Sequence, residues 1–285
     1  MMRMKILSPN KLLSLEDTIK KHQLHPNKKL GQHFLTDAGL LAQIVRYGGD
    51  LSGANIVEIG AGPGGLTRAL LATNAKSVTV IELDERAIPA LHELQSHDER
   101  LEIIEGDALK YDMRQVATPR AIIANLPYNV GTPLLIGWLR LIHEHGASEI
   151  DSMVVMLQQE VAMRIAASAN DDDYGRLSVL CGWLCDVEIC MEVPPSAFTP
   201  PPKVMSAVVR LVPKKLPAFE AKFVEVEKFL GAAFGQRRKM LRGSLKSWCD
   251  NPVELLQNVG VEPTRRAETL TLAEIGRLIE AKGNS

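Results

Sequence analysis

The sequence predicts an α/β protein with a doubly wound, seven-stranded, mostly parallel sheet, followed by a small all-helical domain. Three observations favour this fold class. Apolar, strand-like runs alternate with helical stretches up to about Leu211, a glycine-rich segment follows the strand around Val57, and polar side chains end three successive strands. Repeated strand–helix alternation indicates a parallel sheet that is covered by helices on both faces.

The elements follow in order along the chain. A helix is predicted to start at Ser14, and the predicted strands centre on Val57, Val80, Ile104, Ile123, Val155, Leu180 and Val208. The predicted helices of this region cover residues 38–47, 66–75, 85–95, 133–145 and 158–167. The last two strands flank a proline-rich loop, residues 194–202, and could pair as an antiparallel hairpin. Beyond a proline-containing linker at 212–217, helices are predicted over 220–234, 237–248, 252–258 and 272–281.

The glycine-rich segment predicts a ligand site. Gly60, Gly62 and Gly65 satisfy the pattern G-x-G-x-x-G between a strand and a helix. Glycine permits a sharp turn and a close approach of the backbone to a ligand, and the helix N-terminus offers free N–H groups. The spacing leaves open whether the ligand is a dinucleotide or another adenosine-containing cofactor.

Three side chains at strand ends extend this site. Glu82 closes the second strand and is placed to accept hydrogen bonds from both ribose hydroxyls, as an acid does in NAD enzymes. Asp107 ends the third strand and could hold an adenine amine, and Asn125 ends the fourth. Together with the glycine-rich loop they predict one cofactor crevice at the carboxyl edge of the sheet.

The segment from Asn125 to Tyr128 predicts a second, adjacent function. The Asn125 amide oxygen and the Pro127 carbonyl can accept the two hydrogens of an exocyclic amine, and the Tyr128 ring can stack on a base. Adenine carries such an amine. Accepting both hydrogens favours a pyramidal nitrogen with a localised lone pair, so this hypothesis needs no general base with a shifted pKa.

Seven motifs in order give the chain a resemblance to the small-subunit ribosomal RNA adenine dimethyltransferases, a family of class I S-adenosylmethionine-dependent methyltransferases. The motifs are Lys29-Leu-Gly-Gln-His-Phe-Leu35, Val57-Glu-Ile-Gly-Ala-Gly-Pro-Gly64, Asn125-Leu-Pro-Tyr128, Gln159-Glu-Val-Ala-Met-Arg164, Tyr174-Gly-Arg-Leu-Ser-Val179, Phe198-Thr-Pro-Pro-Pro-Lys-Val204 and Ala233-Phe-Gly-Gln-Arg-Arg-Lys-Met-Leu241. The resemblance implies dimethylation of two adjacent adenosines near the 3′ end of small-subunit (16S) rRNA. It also implies S-adenosylmethionine as the cofactor in place of NAD, a 30S assembly intermediate as the substrate, and a role in 30S biogenesis.

The resemblance also divides the chain and adds site residues. It implies an N-terminal helix and cofactor-covering segment at 1–35, a catalytic domain at 36–213 and a helical RNA-binding domain at 214–285. His33 and the Leu35 backbone would cover the methionine end of the cofactor, and Gln32 would order this segment. Many family members have Asn where this chain has His33. Phe198 would close the face of the base opposite Tyr128.

Charge distribution predicts the RNA-binding surface. The net charge is only −1, so an RNA enzyme needs a local excess of cations. Arg237, Arg238, Lys239 and Arg242, followed by Lys246, fall within one predicted helix that contains no acid. We expect this helix to contact RNA phosphates.

The cysteine spacing and the lengths of the apolar runs bear on whether the protein binds a metal or a membrane. Cys181, Cys185 and Cys190 lack the paired short spacing of a zinc site, which favours buried, reduced thiols and no metal. No apolar run reaches transmembrane length, and Met1–Leu7 is not followed by the apolar core of a secretory signal. The expectation is a cytoplasmic monomer with no membrane partner.

Several alternative functions remain open at this stage. A methyltransferase of a large-subunit rRNA adenine shares the core motifs, but that group is strongly basic. A ribosome-assembly or transcription factor could keep the fold and bind nucleic acid with catalysis secondary. A DNA adenine methyltransferase usually carries two prolines between its Asp or Asn and its Tyr, and an NAD dehydrogenase rests on the glycine-rich loop alone.

Overall fold

The computed structural model describes residues 12–27 and 31–283. Met1–Leu7 and the first two residues of the motif that begins at Lys29 lie outside these residues. The strands are β1 (Phe34–Leu35), β2 (Asn55–Ile59), β3 (Ser77–Glu82), β4 (Leu101–Glu105), β5 (Arg120–Asn125), β6 (Ser152–Gln158), β7 (Cys185–Val193), β8 (Phe198–Thr199) and β9 (Ser206–Pro213). The helices of the sheet region are α1 (Leu15–Lys21), α2 (Ala38–Arg46), α3 (Gly65–Leu71), α4 (Ile88–Gln95), α5 (Gly131–His145), α6 (Gln159–Ala166) and α7 (Arg176–Leu184). The C-terminal helices are α8 (Phe223–Ala233), α9 (Leu241–Ser244), α10 (Pro252–Asn258) and α11 (Leu272–Gly283).

The central sheet has seven strands in the order β4-β3-β2-β5-β6-β9-β7. The first five run parallel, whereas β9 pairs antiparallel with both β6 and β7. The predicted fold class and the antiparallel pairing of the last two large strands are therefore confirmed. Strands β3 and β4 are added on one side of β2, and the chain then returns to add β5 and β6 on the other side. The topological switch point therefore lies between β2 and β5, and ligands bind at this point in open α/β sheets.

Local sequence explains why the elements around this edge form. All five residues of β2 are buried, as expected for a central parallel strand that is covered on both faces. Helix α2 starts at the predicted residue, because the Asp37 side chain accepts a hydrogen bond from the Leu40 N–H. Ser14 caps α1 in the same way, through the Asp17 N–H, as predicted.

The strand predicted around Leu180 is wrong. Residues 176–184 form helix α7, and the seventh strand of the sheet is β7, which begins at Cys185. The run around Leu180 is apolar throughout, and periodicity does not separate a short buried strand from a buried helix. The helix start is fixed by the Ser178 hydroxyl, which accepts a hydrogen bond of 3.0 Å from the Gly175 N–H. Cys181 and Cys185 are buried free thiols on either side of the boundary.

The helix predicted over residues 237–248 is also wrong in its first part. Arg237, Arg238 and Lys239 lie in an exposed turn, and the helix that follows, α9, covers only Leu241–Ser244. The reason is long-range. The Leu241 N–H donates to the Arg265 carbonyl at 2.7 Å, so the backbone pairs with a distant segment where a continuous helix would bond within itself.

The C-terminal helices share an apolar cluster with the sheet region. Phe229 of α8 and Leu256 of α10 belong to the same buried cluster as Leu139 of α5 and Trp183 of α7. The domain boundary at 213/214 stays a prediction. Within residues 12–27 and 31–283, no helix has the length and apolarity needed to cross a membrane.

Candidate active site

A cavity of about 1120 Å³, which includes open solvent at its mouth, lies at the carboxyl ends of β2, β3, β4 and β5. It borders the switch point of the sheet. Every residue that the sequence predicted for the cofactor and the target base lines it: His33, Leu35, Gly60, Gly62, Glu82, Asp107, Asn125, Pro127, Tyr128 and Phe198. The fold thus brings together residues from six separate segments.

The glycine-rich loop adopts a backbone that requires glycine at three positions. Gly60, Gly62 and Gly64 have φ of 71°, 53° and 83°, all in the left-handed region that other residues rarely adopt. A Cβ atom at Gly62 would lie 3.3 Å from the Phe34 ring. The segment around Phe34 therefore covers this loop closely, which a larger residue at Gly62 would prevent.

Glu82 closes β3 and is almost fully buried. One carboxylate oxygen accepts a hydrogen bond from the Gly62 N–H at 2.8 Å, and the other accepts from the Asp84 N–H at 2.7 Å. Burial raises the pKa of Glu82, and these two backbone hydrogen bonds oppose that shift. Each oxygen has one further lone pair, so the carboxylate can still accept two hydroxyl hydrogens.

Glu58 is a buried acid of the site that the sequence reasoning did not single out. It lies in β2, lines the cavity and accepts a hydrogen bond of 2.7 Å from the Thr67 hydroxyl. Its pKa is raised to about 8, mainly by burial and in addition by the nearby Glu82, while the hydrogen bond from Thr67 opposes the shift. The signal in the sequence was a single acid between the apolar residues Val57 and Ile59 of a central strand, where a charge is costly.

Asp107 follows the end of β4, and apolar side chains line the cavity beside it. One Asp107 carboxylate oxygen accepts a hydrogen bond from the Leu109 N–H at 3.0 Å. The other oxygen accepts no hydrogen bond from a described residue. Leu83 and Leu109 line the same part of the cavity with exposed fractions of 54% and 48%. Exposed leucines beside a polar group suit a flat aromatic ligand, and the sequence reasoning missed both of them.

The structure changes the role that can be assigned to Pro127. Its carbonyl already accepts the N–H groups of Val130 and Gly131, each at 3.1 Å, at the start of α5. Both lone pairs are thereby used. The Leu126 carbonyl, in contrast, accepts no hydrogen bond from any described residue, and neither does the Asn125 side chain. The two free acceptors beside each other are therefore Asn125 and Leu126.

Tyr128 is anchored through its hydroxyl group. Its hydroxyl shares a hydrogen bond of 2.8 Å with the fully buried hydroxyl of Ser206, at the start of β9. Burial raises the pKa of Tyr128, and the bond to Ser206 opposes that shift. The ring lines the cavity beside Asn125, in the orientation that this bond fixes.

His33 lies near both predicted aromatic walls. Its ring centroid is 5.8 Å from that of Tyr128 and 6.5 Å from that of Phe198, which is buried. His33 Nδ1 lies 2.7 Å from the Pro200 carbonyl oxygen. In addition, β1 pairs antiparallel with β8, so that Leu35 lies opposite Phe198. The predicted cofactor cover and the predicted base wall are thus joined.

Gln32 orders the N-terminal segment, as predicted. Its amide donates to Asp84 at 2.9 Å, and its carbonyl oxygen accepts from the Asn27 N–H at 2.8 Å. Asp84 in turn forms an ion pair with Arg86, whose guanidinium holds the pKa of Asp84 below its usual value.

The predicted RNA-binding residues lie apart from this cavity. Arg237, Arg238, Lys239 and Arg242 are exposed, and none of them forms an ion pair with a described residue. Residues 237–248 contain no acid in the sequence, but acidic residues lie near them in the fold. In the fold, a groove beside Arg237 and Arg238 is also lined by Asp171, Asp172 and Asp173, which come from the turn before α7.

Within the described part of the chain, no group of three or more His, Cys, Asp or Glu side chains is arranged to hold a metal ion. The polar groups of the cavity are carboxylate, amide and carbonyl acceptors around an apolar lining, which fits an adenosine-containing organic cofactor.

Comparisons with known proteins agree with the family that the seven sequence motifs resemble. The family model described as ribosomal RNA adenine dimethylase matches residues 23–283. The chain is 52% identical to a ribosomal RNA small subunit methyltransferase A of Gluconobacter oxydans, over 94% of this chain and 87% of that protein. It is 50% identical to a protein of the same name from Rhodopseudomonas palustris, over 95% of this chain and 94% of that protein.

Solved structures agree in fold. The crystal structure of a dimethyladenosine transferase from Plasmodium falciparum aligns with a TM-score of 0.74 and 28% identity, covering 88% of this chain and 98% of the other. That of the 23S rRNA methyltransferase ErmE aligns with a TM-score of 0.64 and 26% identity, covering 87% and 98%.

Proposed function

The chain belongs to the ribosomal RNA adenine dimethylase family, and from this premise we propose that it dimethylates the N6 amines of two adjacent adenosines near the 3′ end of small-subunit (16S) rRNA. The enzyme is an S-adenosylmethionine-dependent methyltransferase. The observation that carries the proposal is the meeting of Asn125–Tyr128 with the glycine-rich loop in one cavity. This supports an amine-binding group that lies directly beside a cofactor pocket.

The cavity residues fit the cofactor in the following way. S-adenosylmethionine, when bound, supplies an electrophilic methyl group on a sulfonium. The free lone pairs of Glu82 would accept the ribose hydroxyls, and the free oxygen of Asp107 would accept the adenine amine. Leu83 and Leu109 would enclose the adenine ring, while Gly60 and Gly62 allow close approach of the backbone. His33 and the Leu35 backbone would cover the methionine end.

The target amine would be held by Asn125 and Leu126. The Asn125 amide oxygen and the Leu126 carbonyl are adjacent acceptors without partners among the described residues, whereas the Pro127 carbonyl caps α5. Accepting both amine hydrogens localises the nitrogen lone pair toward the methyl group. Positioning and exclusion of water then supply most of the catalysis, and the proton leaves after transfer, when the nitrogen is cationic.

The target adenosine has to leave its stack, which costs a few kcal/mol. Stacking of the base on Tyr128 would offset about 1–3 kcal/mol of this free energy. Phe198 would bound the site together with His33, whose ring centroid lies 6.5 Å from that of Phe198 and 5.8 Å from that of Tyr128. Arg237, Arg238, Lys239 and Arg242 would contact phosphates, since they are exposed cations with no acid in ion-pair contact.

We propose further that the enzyme acts as a monomer in the cytoplasm on a 30S assembly intermediate, with a role in 30S biogenesis. One chain supplies all the residues of the cavity, and the cysteines are free thiols, as is usual in a reducing compartment. The predicted domains at 1–35, 36–213 and 214–285 assign cofactor cover, catalysis and RNA binding to successive parts of the chain.

The test is transfer of labelled methyl groups to small subunits that lack the modification, followed by nucleoside analysis. The expected product is N6,N6-dimethyladenosine in 16S rRNA, formed on 30S particles and not on large subunits. Asn125→Ala should lower turnover by about 100-fold or more with rRNA affinity close to that of the wild type. Labelling of 23S rRNA would favour the large-subunit alternative. RNA binding without any labelled nucleoside would favour an assembly factor.

A further inference from the structure

The Gly31–Leu35 segment, here called the strap, contacts several of the segments that surround the cavity. The Phe34 ring lies against Gly62, and Gln32 bonds Asp84 after β3. The strap also packs on the Asn125–Tyr128 region, because a Cβ atom at Gly31 would lie 3.9 Å from the Tyr128 nitrogen. These contacts hold the strap on the side of the cavity where the cofactor would bind.

A second cover lies on the side of the target base. Residues 198–202, here called the proline loop, begin with Phe198 and continue through three consecutive prolines. Strap and proline loop are joined by the two-residue ladder between β1 and β8 and by one side-chain hydrogen bond, from His33 to the Pro200 carbonyl. A ladder with two residues in each strand is too short to be stable alone. We therefore expect the hydrogen bond from His33 to help hold the two segments together.

We propose that His33 is a positioning residue that couples the two covers, so that cofactor binding under the strap and base binding beside the proline loop favour each other. The proposal rests on the proposed function, because it takes the strap as the cofactor cover and the loop as the base cover. It adds a role for His33 that spans both sites.

The chemistry of the bond supports a fixed linkage. A carbonyl oxygen only accepts, so His33 Nδ1 carries the hydrogen and donates it to Pro200. The ring at the same time lies near two aromatic rings, with centroid distances of 5.8 Å to Tyr128 and 6.5 Å to Phe198. Because the side chain contacts the proline loop through Nδ1 and lies near the rings of Tyr128 and Phe198, a displacement of the loop would act on the strap.

The geometry also predicts which substitutions preserve the linkage. The amide nitrogen of Asn is bonded to Cγ, as Nδ1 of His is, so His33→Asn retains a donor at the position that bonds Pro200. The amide nitrogen of Gln lies one atom further out, at the place of Nε2. His33→Gln therefore keeps size and polarity but moves the donor away from the position that bonds Pro200, which makes these two variants a matched pair.

The first test contains neither cofactor nor RNA. Amide hydrogen exchange at Phe34, Leu35, Phe198 and Thr199 reports opening of the ladder between β1 and β8. We expect His33→Gln to raise the exchange rates of the protected amides by about 5- to 10-fold, the effect of losing one hydrogen bond, with His33→Asn close to the wild type. Equal rates in the wild type and His33→Gln would overturn the linkage, whatever the protein methylates.

The second test measures coupling. The dissociation constant for 16S rRNA is determined with and without S-adenosylhomocysteine, which cannot donate a methyl group, and the ratio gives the coupling factor. We expect a ratio above about 5 for the wild type and His33→Asn and near 1 for His33→Gln. The same ratio in all three proteins would overturn the proposal. A wild type that binds neither ligand would instead contradict the proposed function.

Discussion

The Gly62 N–H donates a hydrogen bond of 2.8 Å to the Glu82 carboxylate, so the acid of β3 fixes the conformation of the glycine-rich loop after β2. The same carboxylate accepts from the Asp84 N–H and is only 4% exposed. Glu82 therefore fixes the loop, and each of its oxygens keeps a lone pair that these two bonds do not use. This relationship joins two neighbouring strands at the switch point of the sheet.

Glu82→Gln should weaken cofactor binding strongly. The Gln amide offers one acceptor oxygen where the carboxylate offers two, so either a backbone N–H or a ribose hydroxyl loses its partner. Hydrogen bonds to charged groups contribute about 1.5–3 kcal/mol, and the dissociation constant for S-adenosylhomocysteine should rise by roughly 10- to 100-fold in calorimetry. Glu102→Gln, an exposed change of the same charge on β4, is the control. Equal affinities in both variants would contradict a role of Glu82 in binding.

Tyr128 should act through its ring more than through its hydroxyl. Tyr128→Phe keeps the stacking surface and loses only the bond to Ser206, so kcat/KM should fall by less than about 10-fold. Tyr128→Ala removes the stacking of about 1–3 kcal/mol and should reduce kcat/KM by roughly 5- to 150-fold. Both are measured by methyl transfer to 30S particles. A larger loss for Phe than for Ala would assign the main role to the hydroxyl.

Glu58 should make the protein less stable as pH rises. Its pKa is raised by burial from 4.5 to about 8, so between these values the folded state binds a proton that the unfolded state has lost. The stabilisation is fully present below about pH 4.5 and is lost as pH rises through about 8. The expected contribution to the free energy of unfolding falls by about 1.4 kcal/mol per pH unit across this window.

Denaturant unfolding of the wild type and Glu58→Gln, at several pH values between about 5 and 8, measures this contribution as the difference between two slopes. The neutral Gln keeps an acceptor for the Thr67 hydroxyl and has no proton to lose. Because burial also raises the pKa of Glu82, some slope should remain in the variant. Two parallel curves would show that Glu58 is ionised in the folded protein throughout.

Arg237 and Arg238 should contribute to the salt dependence of RNA binding. Each phosphate contact contributes about −0.7 to the slope of log K against log salt for single strands. The double variant Arg237→Ala/Arg238→Ala should therefore lower the magnitude of the slope by about 1.4 in binding titrations with 16S rRNA. The control Arg46→Ala/Lys76→Ala removes two exposed cations elsewhere and should leave the slope unchanged. Equal slopes in both variants would place the RNA surface elsewhere.

Much of the fold and of the site could be read from the sequence, because the signals are local. An apolar strand followed by glycines, an acid or Asn125 is a short pattern, and parallel strands bring their carboxyl ends to one edge. Glu82, Asp107 and Asn125 could therefore be predicted to meet in one cavity before any contact was known. The start of α1 at Ser14 was equally local, because a cap bonds within one turn.

The sequence by itself determined the fold class, the family resemblance and ten of the residues that line the cavity, but not Glu58, Leu83 or Leu109. Tertiary structure decided the features that depend on distant partners: helix α7 in place of a strand at Leu180, the turn at Arg237, the engaged carbonyl of Pro127 and the bond from His33 to Pro200. The physical reason is that a hydrogen bond between residues 167 positions apart leaves no periodicity in the chain. Such a bond exists only once the sheet has brought its two ends together.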